Sequence, residues 1–175
     1  EGDPTCDALS PKNPLIMMTG PLTGTAAPTG ARYVVTTKSP LTGAITVSNS
    51  GGQFPAAVKR CGIDGFIFEG ASDHPVYLVV TDGGKAELRD ARNLWGKDTH
   101  ETDRLCREAV HKDAKVACIG PAGENGVLFA SIMNDMDRAA GRSGTGAVMG
   151  SKKLKAVVVH GTQPVPLHDE AGFKA

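Results

Sequence analysis

A motif that returns one hundred positions later sets the frame for this chain. Gly20-Pro21-Leu22-Thr23-Gly24 recurs as Gly120-Pro121-Ala122-Gly123-Glu124, each time behind a short apolar run. Ile63-Asp64-Gly65-Phe66-Ile67-Phe68-Glu69-Gly70 recurs in pattern as Leu154-Lys155-Ala156-Val157-Val158-Val159-His160-Gly161, with Gly70 and Gly161 91 positions apart. Two copies are too few for a solenoid. The pattern instead predicts a duplicated domain with two similar β-sheets about a pseudo-twofold axis, near which equivalent loops meet. The unequal offsets require an insertion of nine residues in the first half.

Short apolar and β-branched runs bounded by Gly and Pro predict strands at 15–18, 32–37, 44–47, 63–68, 116–119, 128–132 and 154–159. Val76–Val80 and Ala86–Leu88 flank Thr81-Asp82-Gly83-Gly84-Lys85, a hairpin signal. A short helix over 53–61 is stopped by Gly62, and Ala147–Gly150 forms a helical turn. Asp98 three residues before Glu101 resembles a capping box. The longest helix follows it, with Leu105, Cys106, Ala109 and Val110 on one apolar face. That helix is expected on an outer layer.

Two loop systems carry the chemistry. The first is Gly20–Thr25 with Arg32 and Ser48-Asn49-Ser50-Gly51-Gly52. The second is Asn134-Asp135 with Arg138-Ala139-Ala140-Gly141-Arg142 and Ser143–Gly146. Both run into a helix start, where backbone N–H groups face an anion, and arginine adds a planar fork suited to phosphate. Doubling by the repeat predicts a site for two phosphates or for one symmetric phosphorylated ligand. A pair of Gly-rich turns with solvated arginines accounts for the same residues. Asp135 and Asp137 are candidates for an acid/base couple, although beside Arg138 they are better read as positioning that arginine.

Other classes are excluded by what the residues lack. Nineteen basic and nineteen acidic side chains balance, which gives no reason to expect nucleic acid. No apolar run approaches the roughly 18 residues of a membrane span. Cys6, Cys61, Cys106 and Cys118 are too widely spaced for a C-x-x-C zinc or redox motif or for iron–sulfur ligation, and favour a reducing compartment. No G-x-x-x-x-G-K-[ST], G-x-G-x-x-G or G-x-S-x-G motif is present, and His74, His100, His111, His160 and His168 lack metal spacing. Glycine is the compositional outlier: 22 of 175 residues, nearly twice the usual share of roughly 7%. No complete catalytic constellation is found. The chain opens without Met in Glu1-Gly2-Asp3-Pro4 and is expected to be a fragment or a processed product.

The ordered set Gly20–Thr25, Lys38–Ala44, Ser48–Gly52, Leu94-Trp95-Gly96-Lys97, Ile119–Asn125, Asn134-Asp135, Arg138–Arg142 and Gly146–Lys152 resembles the N-terminal domain of tungsten-containing aldehyde:ferredoxin oxidoreductases. The resemblance covers about residues 8–166 and treats 1–175 as a single domain of a longer enzyme. It implies an α+β, four-layer α/β/β/α sandwich with an internal duplication. It also implies that the domain is the base for a tungsten bis-pyranopterin (tungstopterin), whose two phosphates are bridged by Mg2+. Carried over by position, it implies cofactor contacts at Arg32, Asn49, Gly51, Arg138, Ala139 and Gly141. Asn49 and Ala139 would bind the magnesium through their carbonyls. The parent would oxidise aldehydes to carboxylic acids and pass electrons through a 4Fe-4S cluster to ferredoxin in the cytoplasm. The cluster ligands and the substrate pocket lie in its remaining domains, so this segment alone is expected to be inactive. An exposed Gly-rich apolar face predicts homo-oligomerisation of the isolated chain. The competing reading is a non-catalytic pterin-binding or scaffold subunit of a split tungsten or molybdenum enzyme complex.

Overall fold

The strand order of one sheet is repeated inside the other. In the computed structural model, β1 (Leu15–Thr19), β2 (Arg32–Lys38), β3 (Ile45–Gly51) and β4 (Gly65–Phe68) form an antiparallel sheet in the order β3-β2-β1-β4. The second half supplies β7 (Lys115–Cys118), β8 (Ile132–Asn134), β9 (Arg138–Ala140) and β10 (Leu154–His160) in the order β9-β8-β7-β10, again antiparallel. Helix α1 (Phe54–Arg60) connects β3 to β4, and α4 (Thr145–Ser151) connects β9 to β10 in the same place. The duplication is therefore present in topology as well as in sequence. The extra length of the first half lies in the β2–β3 arm, whose strands are seven residues long where β8 and β9 have three.

The structure describes residue 3 and residues 5–174; positions 1, 2, 4 and 175 of the expected domain lie outside the described residues. What separates the two halves is an insertion. The hairpin β5 (Val76–Thr81) and β6 (Lys85–Asp90) extends the second sheet, β5 lying parallel to β10. Helix α2 (Thr99–Val110) then covers that sheet's far side. Asp98 caps α2 by accepting the Glu101 N–H at 2.8 Å, as the sequence predicts. Its buried side is set by Thr102, Asp103 and Cys106, while Ala109 is exposed. Two short helices, α3 (Pro121–Glu124) and α5 (Glu170–Lys174), complete the α+β architecture. Among the described residues no helix is long and apolar enough to cross a membrane.

One core joins the two sheets. Helices α1 and α4 each touch strands of both sheets, while β3 and β9 lie directly beside one another. Phe54, Ala57 and Val58 of α1 and Val148 and Met149 of α4 share one core with Leu15, Met17, Tyr33 and Val35 on one side and Val157 and Val159 on the other. Both helices are only seven residues long and bury mainly apolar side chains, Phe54, Ala57 and Val58 in α1 and Ala147, Val148 and Met149 in α4, so each can pack against strands of both sheets. This leaves one face of the four-stranded sheet without a covering layer. Met18, Val34, Ile45, Val47 and Ile67 stand exposed on it.

Two local expectations change. Ser48–Gly51 belongs to β3 rather than to a loop, because Ser48 and Ser50 turn inward and their hydroxyls meet polar groups of the second half. Likewise the loop expected over 134–146 contains β9, and the strand expected at 128–132 begins only at Ile132. Leu128 and Phe129 are exposed instead.

Candidate functional site

The seam between the halves is built on Asn134. Its side chain is 2% exposed and uses both ends. The Oδ1 accepts from the Tyr33 hydroxyl at 3.2 Å and the Ser50 hydroxyl at 2.7 Å, and the Nδ2 donates to the Gly51 carbonyl at 2.9 Å. Burial first, then the negative charge of Asp135, push the Tyr33 phenol well above its ordinary value, so it remains a donor. Further along, the Arg142 N–H donates to the Ser48 hydroxyl at 3.1 Å, and the Ser39 hydroxyl donates to the Ser143 carbonyl at 2.8 Å. These bonds hold β3 and the 134–143 segment side by side.

Arg32, Asn49, Gly51, Arg138, Ala139 and Gly141 all fall on this seam. Arg32 pairs with Gly51, and Asn49 sits two pairs further along, facing Val34. Alternation along β2 and β3 puts Arg32, Val34, Val47 and Asn49 on the exposed face of the four-stranded sheet. There the Arg32 Nη1 donates to the Asn49 Oδ1 at 2.6 Å. Arg138 pairs with Asn134 and Ala139 with Met133 in the short β8–β9 arm. A β-carbon on Gly51 would lie 3.8 Å from Arg32 Cγ and 3.8 Å from Arg138 Nη1, so both arginines flank bare backbone. Around Gly141 such a carbon would meet only the Ala139 methyl. Among the described residues no carboxylate pairs with Arg32, Arg138 or Arg142. Two guanidinium forks without anionic partners, set beside glycine backbone, suit an external anion.

Next to the arginine pair the sheet is apolar. Met18, Val34 and Arg32 line a cleft of about 370 Å3 with Gly20, Pro21 and Leu22 of the first repeated turn. A flat ligand with a charged end fits this combination of an apolar floor and a cationic rim. The four cysteines are buried and far apart in sequence, and burial raises the thiols of Cys61, Cys106 and Cys118. Among the described residues no group of three or more His, Cys, Asp and Glu side chains is placed to hold a metal. Any ion at the seam would thus depend on carbonyl, ligand and water oxygens, which magnesium accepts.

Asp135 and Asp137 do not form an acid/base couple. Asp135 Oδ2 accepts from the backbone N–H groups of Gln53 at 2.5 Å and Phe54 at 3.0 Å, and from Asn134 Nδ2 at 3.0 Å. It therefore caps α1, a helix of the other half with no acidic residue in its first turn and no side-chain cap of its own. Asp137 is exposed and lies 3.4 Å from His100. No ion pair joins either aspartate to Arg138, so neither positions it directly. The importance of Asn134 is not readable from sequence, because its partners are 83 to 101 positions away.

The family model described as aldehyde ferredoxin oxidoreductase, N-terminal domain, matches residues 1–161. The chain is 56% identical over 174 residues to the tungsten-containing aldehyde ferredoxin oxidoreductase of Pyrococcus furiosus, covering 99% of this chain and 29% of the relative. It is 38% identical over 182 residues to the aliphatic sulfonate oxidoreductase, WOR-like subunit, of the same organism, covering 96% of this chain and 29% of that one. Among solved structures it resembles the active site complex BamBC of benzoyl coenzyme A reductase in complex with 1,5 dienoyl-CoA. The TM-score is 0.89 at 43% identity, over 93% of this chain and 25% of that chain. The chain thus spans under a third of the length of these relatives.

Proposed function

The chain belongs to the aldehyde ferredoxin oxidoreductase N-terminal domain family, and on that footing we propose that it is the pterin-cofactor-binding base of an enzyme oxidising aldehydes to carboxylic acids. The observation that carries this is the pair Arg32 and Arg138, one from each half, flanking Gly51 with no carboxylate partner. A cofactor carrying two phosphates calls for such a doubled cationic edge beside accessible backbone, and the fold duplicates its loops to meet there.

When bound, the tungsten bis-pyranopterin supplies the redox chemistry. This chain's own residues bind and orient. Arg32 is held by Asn49 and contributes fixed positive charge at the end of the apolar cleft. Arg138 contributes a second fixed charge from β9. Gly51 and Gly141 let the cofactor approach backbone, and the carbonyls of Asn49 and Ala139 offer one oxygen from each half to a magnesium ion shared with the phosphates. The exposed apolar face of the sheet excludes water once the remaining domains of the parent close over it. Those domains would carry the 4Fe-4S ligands, and the four cysteines here are buried. Ferredoxin is the electron acceptor, and the compartment is the cytoplasm.

The test is Arg32→Ala and Arg138→Ala in the full-length enzyme, with tungsten per protein measured by mass spectrometry. Losing a charge-assisted contact in a partly dry site costs about 1.5–3 kcal/mol. Each variant is expected to retain less tungsten with an unchanged circular dichroism spectrum, and lysine to restore it only in part because it lacks the planar fork. Full tungsten occupancy in both alanine variants would overturn the reading.

A further inference from the structure

Two consecutive non-glycine residues with positive φ lie immediately beside the proposed site. Asp135 and Met136 have φ of +47° and +69°, in the left-handed region that residues other than Gly, Asn and Asp seldom enter. Such positions persist only where surrounding contacts hold them. Here the contact is the Asp135 carboxylate, whose Oδ2 gathers the N–H groups of Gln53 and Phe54 at the start of α1, and the Asn134 amide. Between them, Gly52 at φ +102° leaves no room for a side chain: a β-carbon would lie 2.2 Å from Asp135 Oδ2 and 2.7 Å from Arg138 Cδ. One carboxylate thereby ties the first half's Gly51-Gly52 corner to the second half's β8–β9 turn, next to the arginine that turn carries.

We propose that Asp135 is a positioning residue for the cofactor site. By clamping the start of α1 onto the β8–β9 turn, it fixes Arg138 against the Gly51-Gly52 backbone. The physical reason for a carboxylate is that it accepts several donors at one point while meeting the positive start of a helix that has no other acid. A turn held only by its own backbone would let the short, three-residue strands of this arm shift, and Arg138 with them. The inference rests on the function proposed above.

The experiment uses the full-length enzyme loaded with its cofactor. The rate of cofactor release is followed by tungsten remaining on the protein after rapid gel filtration, and by fluorescence of the freed pterin. Asp135→Ala is expected to release cofactor about tenfold faster than the parent, the loss expected for a broken cap with charge assistance. Asp135→Asn, which keeps an acceptor oxygen in place, is expected to stay within about threefold. In the double variant with Arg138→Ala, release should be no faster than in Arg138→Ala alone, because the clamp acts through that arginine. Should Asp135→Ala not fold, Asp135→Glu replaces it: the added methylene displaces the carboxylate from α1, and faster release is expected. Parental release in the Asp135 variant while Arg138→Ala releases quickly would overturn the clamp and leave the function standing, as would multiplicative effects in the double variant. Parental release in Arg138→Ala itself would overturn the function reading and the clamp with it.

Discussion

Gly52→Ala isolates the seam between the halves as a stability question. The added β-carbon meets two costs. At φ +102° an L-residue is strained by about 1–3 kcal/mol. The Asp135 carboxylate, 2.2 Å from the new carbon, must also move. Moving it uncaps α1, worth about 1 kcal/mol more. The sum, about 2–4 kcal/mol, corresponds to a fall in Tm of roughly 5–15 °C for a chain of this length. Gly43→Ala is the matched control: its φ is +73°, yet nothing lies within 4 Å of the added carbon. It should lose only the conformational part, about 1 kcal/mol. Thermal and urea unfolding by circular dichroism measure both. The collision has its own signature, because in an Asp135→Ala background the extra cost of Gly52→Ala should shrink by about 1 kcal/mol. If Gly52→Ala costs no more than Gly43→Ala, or if the Asp135 background leaves its cost unchanged, the argument is wrong.

Other outcomes can be measured on the same chain. Lys155 and Glu124 form an ion pair with side chains 0% and 3% exposed, completed by the Lys97 carbonyl and the Gly96 N–H. Glu124→Ala strands a buried ammonium and should cost about 3–5 kcal/mol by urea unfolding, whereas replacing both residues by apolar ones of similar volume should cost much less. Burial raises the Asp103 carboxyl above its ordinary value despite Arg107 nearby. For a raised pKa the stabilising contribution is full below the unfolded value and is lost as pH rises through the folded one. Asp103→Asn should therefore gain on the parent across that window, and a difference that does not change with pH would contradict it. The Cys61 and Cys106 thiols, pushed up to about 11 and about 12, should resist a thiol-specific reagent at about pH 8 in the native chain and react on unfolding.

Much of this protein is legible in its residues because the controlling interactions are local or repeated. The period-2 alternation of Arg32–Lys38, the stop at Gly62 and the Asp98 cap each act within a few positions, and they mark the elements correctly. The repeated glycine turns go further, since a duplicated sequence must fold into duplicated topology, and the order β3-β2-β1-β4 returns as β9-β8-β7-β10. The six candidate residues come instead from the family resemblance, and the strands that carry them set them along the seam. Three things were not legible in the residues. Ser48–Gly51 has loop composition and becomes strand only because Asn134 and Arg142 of the other half meet the inward hydroxyls. The place of α1 and α4 against both sheets depends on the gap the sheets leave, which no single helix encodes. Asp135 reads as an acid beside an arginine, yet it caps a helix that begins 81 positions earlier in the chain. Local sequence determines which elements form and how often, because hydrogen bonding and hydrophobic period act at short range. Only tertiary structure decides which distant donors a buried carboxylate or amide must satisfy, because an unmet polar group in the interior costs more than any local preference returns.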